Sequence, residues 1–211
     1  MKATLVRCLG LALLLPLALH AQTVPAPKEF YFDEDAATAR PIVAIAGDDE
    51  ATLERLMQLM ERDRRDADRA AAQLAHVAMR TGRIDVGHAL YQRAFDGSSA
   101  RGALRYALHW NYGWDLARTG DTEGALPHWL AAGFDRLIDP EWLPPTLALA
   151  LWRLDRRDEA LAWYAAAVRT WPNRWRDPGD FSALLPDWRE DERKTLGEVH
   201  AAWLENPPAW P

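Results

Sequence analysis

"GDTEGALPHWLAAGF" (120–134) returns in altered form as "LDRRDEALAWYAAAV" (154–168), and "TGRIDVGHALYQRAF" (81–95) precedes both. Each copy opens on a helix-breaking turn. A small residue follows, then a large aromatic four positions on, then a small residue three positions further: Gly87, Tyr91, Ala94; Ala125, Trp129, Ala132; Ala160, Tyr164, Ala167. The small residues let two antiparallel helices approach closely, and Tyr91, Trp129 and Tyr164 fill the space between successive pairs. Gly82 and Gly120 stand where a helix C-cap calls for positive φ. One hairpin cannot bury its own apolar stripe, so the hairpins must stack.

The steps between copies are 38 and 35 residues, which reduce to a unit of about 34 once small loop insertions are allowed. Upstream, "HWNYGWDLARTGD" (109–121) carries Tyr112, Gly113 and Leu116. On these residues, and most specifically on "NYGWDLARTGDTEGAL" (111–126), the chain resembles the tetratricopeptide repeat family over residues 68–174. It departs from that pattern where His109 and Pro144 replace the first aromatic of the second and third copies. The second copy also lacks the terminal proline that Pro172 supplies in the third, and the first copy has few large residues in its first helix. The resemblance implies an all-α superhelix of about three helical hairpins, with repeats at about 68–101, 106–139 and 141–174.

The flanks fit a stacked array. "DDEATLERLMQLMER" (48–62) offers an acidic helix start, then Leu53, Leu56, Met57 and Met60 at helical spacing. "EDERKTLGEVHAAWLE" (190–205) places Leu196, Val199, His200 and Trp203 on one face, so a terminal capping helix is expected over 188–205. The helical domain is therefore 48–211. Before it, 22–47 reads as an extended segment: "TVPAPKEF" (23–30) as a flexible tether, and "RPIVAIAG" (40–47) as strand-like in composition without a partner strand. The connector "WPNRWRDPGDFSALLPDW" (171–188) reads as an ordered, aromatic-rich loop.

Residues 1–21 read as a signal peptide. Lys2 and Arg7 precede the apolar run "CLGLALLLPLAL" (8–19), too short to span a bilayer, and Ala21 offers a cleavage position. Cleavage there removes Cys8, the only cysteine, and leaves no disulfide and no thiolate site. An exported, cysteine-free, acidic chain points to the periplasm. The formal charge of −6 argues against nucleic acid, which calls for a basic patch.

No catalytic pattern emerges. His76, His88, His109, His128 and His200 show no metal-ligand spacing, and the carboxylates of "DEDAATAR" (33–40) and "GDDE" (47–50) read as helix-start and solvated groups. No glycine-rich phosphate loop is present. The sequence predicts no enzymatic activity, no cofactor and no metal.

What remains is binding. The resemblance implies that the first helix of each pair lines a concave groove, and the family register puts Arg69, His76 and Arg80, then Trp110, Trp114 and Arg118, then Trp142, Trp152 and Arg153 on that wall. Tryptophan and arginine are the residues of interaction hot spots. Eleven tryptophans in 211 residues call for a core or a contact surface to hold them. The arginines predict a partner with an acidic group or a C-terminal carboxylate. Alternatively, the terminal segment with "NPPAWP" (206–211) folds back and fills the groove. The expected function is a periplasmic adaptor holding a protein or peptide; the alternatives are an inhibitor or immunity-type protein that blocks a toxin or hydrolase, and a homo-oligomeric structural module.

Overall fold

The computed structural model describes residues 22–28, 31–35, 37–62, 66–134, 136 and 138–209. The signal-peptide reading of 1–21 lies outside them. The described chain is all-α: α1 (Glu50–Arg62), α2 (Ala67–Arg80), α3 (Ile84–Gly97), α4 (Ala103–Arg118), α5 (Thr122–Phe134), α6 (Leu143–Arg153), α7 (Arg157–Thr170), the short α8 (Pro172–Trp175) and α9 (Glu190–Glu205). Helices α2–α3, α4–α5 and α6–α7 pair as three consecutive hairpins. Helix α1 packs on α2 at one end, and α9 packs on α6 and α7 at the other.

The three hairpin turns are built alike. Gly82, Gly120 and Asp155 all take positive φ, at 78°, 99° and 59°. The next residue in each turn donates its N–H to a carbonyl five positions back: Arg83 to Ala78, Asp121 to Leu116 and Arg156 to Leu151, each at 2.9 Å. This is the hydrogen-bond pattern of a helix closed by a left-handed residue. The third turn accepts aspartate because a short polar side chain tolerates that backbone region.

Between the turns the small–aromatic–small pattern does what its spacing predicts. Tyr91, Trp129 and Tyr164 are fully buried, as are Ala125, Ala132, Ala160 and Ala167. At Gly113 a Cβ atom would come within 2.6 Å of the Trp129 indole nitrogen, so only glycine lets the ring lie against α4. On α9, Leu196 and Val199 are buried as expected of the inward face, while Trp203 stacks at the edge on His200.

The segment before α1 is docked, which corrects the expectation of a flexible tether. It runs as a strap from the third hairpin back to the first. Arg156 donates to the Gln22 carbonyl at 2.9 Å, and Val24, Pro27 and Phe32 are buried. Asp33 exchanges backbone bonds with the α5–α6 connection, accepting from Glu141 at 2.8 Å and donating to Asp139 at 2.9 Å. Further on, Asn111 on α4 donates to the Arg40 carbonyl, and Gln73 on α2 grips Ala44 and Ile45. The strand-like composition of 40–47 is met by amide side chains of helices rather than by another strand.

The connector 171–188 is ordered around buried Trp175 and Phe181. Tyr164 donates its hydroxyl to the Trp175 carbonyl at 2.7 Å and so ties the third hairpin to it.

Candidate functional site

The wall made by the first helices carries a pocket of about 490 Å³. From α2 comes His76; from α4 come Trp110, Asn111, Trp114, Asp115 and Arg118; from the start of α6 come Trp142 and Thr146. The strap closes one side with Asp35, Ala39, Arg40 and Pro41. The connector closes the other with Leu184, Leu185, Pro186, Asp187 and Trp188, and Glu141 completes the rim.

The indoles form the walls. The Trp114 ring meets Trp110 at 66° with centroids 6.1 Å apart, and Trp188 at 67° and 4.9 Å. Its remaining edge packs on Trp129 at 5.1 Å. Only 3 % of Trp114 is exposed, and Trp142 is nearly as buried at 8 %. Of the four tryptophans expected on the wall, Trp114 and Trp142 are therefore buried, and Trp110 and Trp152 are partly exposed. The strap and the connector cover this face and leave a pocket in place of a trough; of "NPPAWP", Trp210 and Pro211 lie outside the described residues. Pro207 and Pro208 lie beside Ala165, Val168 and Trp203.

At the floor stands a buried carboxylate. Asp115 accepts the His76 Nδ1–H at 2.8 Å and the Tyr91 hydroxyl at 2.6 Å. The carboxylate accepts, so with a neutral imidazole this contact puts the proton on Nδ1 and leaves Nε2 without a partner among the described residues. Burial, then the neighbouring Asp115 charge, pushes the Tyr91 hydroxyl well above its ordinary range, so the phenol stays protonated and donates. On the strap, burial raises Asp35. Bonds from Thr38 and the Trp142 indole, with the Arg136 charge, outweigh it and hold the carboxyl below its ordinary value.

The arginines of the wall are already spent. Arg118 makes two bonds to the buried Glu192 of α9, at 2.8 and 3.0 Å, with its guanidinium 4.9 Å from the centre of the Trp114 ring. Arg153 pairs with Asp191 at 2.7 Å and Arg80 with Asp48 at 2.8 Å. Arg69 reaches the Val43 carbonyl of the strap. Three of the four arginines expected to meet an acidic or C-terminal-carboxylate ligand are thus paired with carboxylates of the chain itself.

Of the nine residues placed on the wall by sequence, His76, Trp110, Trp114, Arg118 and Trp142 meet in the pocket. Arg69, Arg80, Trp152 and Arg153 do not. Trp152 lies outside it, beneath the Arg157 guanidinium at 3.8 Å and bonded through Nε1 to Glu198. Sequence reasoning missed Arg40, Asp115, Glu141, Asp187 and Trp188 as pocket residues. For Asp115 a signal existed, since it neighbours Trp114 on a helix turn whose other members point inward.

A second polar cluster lies where α3, α4 and α5 meet, outside the pocket. His109 and His128 approach Nδ1 to Nδ1 at 2.9 Å beside Phe95 and Tyr112. Burial, then the neighbouring His128 and Arg105 charges, lowers His109 to about 4. Burial lowers His128 to about 4 against the opposing pull of Asp121. Both rings are neutral near pH 7 and share one proton between facing nitrogens. Among the described residues no group of three or more His, Cys, Asp or Glu side chains is placed to hold a metal, and no helix is long and apolar enough to cross a membrane.

Compared with known proteins, the chain matches no family model, no curated protein and no solved structure.

Proposed function

We propose that this chain is an exported, tetratricopeptide-type interaction module of the periplasm, which holds a polypeptide partner against the face made by its first helices and carries out no chemistry of its own. The observation that carries this reading is the grip on the strap. Gln73 accepts from the Ala44 and Ile45 N–H groups at 2.7 and 3.1 Å and returns a bond to the Ile45 carbonyl at 2.7 Å. Asn111 holds the Arg40 carbonyl at 2.9 Å. These amides bond main-chain atoms, so the face holds an extended polypeptide whatever its side chains. The pocket continues that face beyond the strap, with aromatic walls of the kind that dominate binding energy.

The repeated turns and the unit of about 34 residues support the family reading, and the Lys2–Ala21 pattern supports export. The test is capture from an envelope fraction with the parent chain and with Trp110→Ala. The reading expects one or more envelope proteins bound by the parent and lost with the variant. A single toxin or hydrolase among them assigns an inhibitor role. Recovery of the chain alone, or equal capture by the variant, refutes the site.

A further inference from the structure

We propose that the pocket receives a basic side chain, an arginine guanidinium carried by the polypeptide partner; the proposal rests on the reading of this face as a polypeptide-binding surface. The argument begins with what the indoles present. The N–H groups of Trp110 and Trp114 are buried and have no partner among the described residues, and that of Trp142 is taken by Asp35 at 3.2 Å. Since the Trp110 N–H is buried, a ligand meets the carbon part of that partly exposed ring. The face of an indole carries negative charge density and attracts cations. Trp110 and Trp188, both partly exposed, each stand near-perpendicular to the buried Trp114 and supply the ring surface that a flat cation in the pocket can reach.

The charges around the pocket agree. Most have partners: Arg118 pairs with Glu192, Asp35 with Arg136 and Glu141 with Arg174, while the buried Asp115 accepts bonds from His76 and Tyr91. Two side chains carry no bond to the described residues, the Asp187 carboxylate on the connector and the Arg40 guanidinium on the strap. Asp187 supplies the acceptor that a guanidinium needs once it is seated. Arg40 is anchored through its backbone by Asn111 and exposed at its head, so it is a resident cation at the mouth that an incoming guanidinium displaces. The fold already sets guanidinium groups over aromatic rings, on Trp114 and more closely on Trp152. A net charge of −6 draws a cationic partner toward the chain from a distance. At about 490 Å³ the pocket admits an arginine side chain with part of its backbone.

Arg40 decides the sign of the test. For a cation pocket, Arg40→Gln removes a competitor and tightens binding; for an anion pocket, it removes a pocket cation that has no partner among the described residues and weakens binding. The probes are acetyl-Gly-Arg-Gly-amide, its neutral citrulline counterpart and acetyl-Gly-Asp-Gly-amide. Each is titrated into the full chain and followed by shifts of the tryptophan indole resonances, which register weak binding. The arginine peptide is expected to bind about tenfold tighter than the citrulline peptide, as a desolvated cation–π contact implies. Arg40→Gln should tighten it severalfold and Asp187→Asn should weaken it severalfold. Both positions are exposed, and unchanged far-ultraviolet circular dichroism checks the fold. No indole shift with the arginine peptide, preference for the aspartate peptide, or weaker binding by Arg40→Gln overturns the proposal. A protein partner captured through Trp110 while the arginine peptide stays silent refutes the guanidinium assignment alone. Silence in both experiments refutes the polypeptide reading with it.

Discussion

Replacing Arg118 with methionine removes the cation that holds α9 to α4 and leaves a charge behind. The Glu192 side chain is 1 % exposed and takes two bonds from Arg118 and a third from its own helix start, the Arg189 N–H at 2.7 Å. In Arg118→Met the carboxylate keeps only the backbone donor. Breaking a buried pair from one side costs about 3–5 kcal/mol. The Arg118 side chain retains 21 % exposure, so water reaches part of the site and the lower end, about 3 kcal/mol, is the expected loss. With a urea slope of about 2 kcal/mol/M the unfolding midpoint falls by about 1.5 M. The double variant Arg118→Met/Glu192→Leu removes both charges and fills the space with apolar atoms, so it should recover most of the loss. The coupling between the two sites should then be about 2 kcal/mol. Urea unfolding of the parent, both singles and the double measures it. A single variant within about 0.5 kcal/mol of the parent, or additive losses in the double, refutes the claim that this pair locks the capping helix in place.

Trp114 packs against three other indoles, so Trp114→Ala should cost about 3–5 kcal/mol of stability in thermal or urea unfolding; a near-parental midpoint would place the ring on an open surface instead. His109 and His128 titrate near 4 in the fold but near the ordinary histidine value of about 6.5 once unfolded. The unfolded chain therefore binds more protons over that window, and stability should fall as pH drops from about 6.5 to about 4 while staying level above it. Allowing for the solvent contact both rings keep, the loss is about 1–3 kcal/mol for the pair. His109→Leu/His128→Leu should flatten the profile between those pH values, and an unchanged slope would locate the effect elsewhere. Export predicts a mature chain that begins at Gln22 in periplasmic extracts; mass spectrometry finding an intact Met1 would contradict it.

The hairpins were legible because their signal is local and repeated. Tyr91, Trp129 and Tyr164 each lie between two small residues at fixed helical offsets, and Gly82 and Gly120 mark turns that Asp155 completes. The covering of the groove was not legible, because its partners are far apart in sequence and leave no period. Glu192 lies 74 residues from Arg118, and Arg40 lies 71 from Asn111. Arg80, Arg118 and Arg153 looked free because the carboxylates that pair with them sit on other elements. The strap escaped for a related reason. Backbone groups of its second half are held by Gln73 and Asn111, which a periodicity reading scores only as polar residues on helices. Trp188 belongs to a connector with no regular spacing, so nothing in the local pattern joined it to Trp114.

In-cell photo-crosslinking tests most directly whether the first-helix face holds a partner. A benzophenone side chain (Pro186→p-benzoylphenylalanine) stands at the exposed rim of the pocket, and one placed by Val86→p-benzoylphenylalanine stands exposed on α3, outside the pocket. Irradiation of cells producing each variant, followed by mass spectrometry of the adducts, reads the surface inside the cell. The account predicts a discrete protein adduct from position 186 and none from position 86. An adduct from position 86 alone, or no adduct from either, would contradict it.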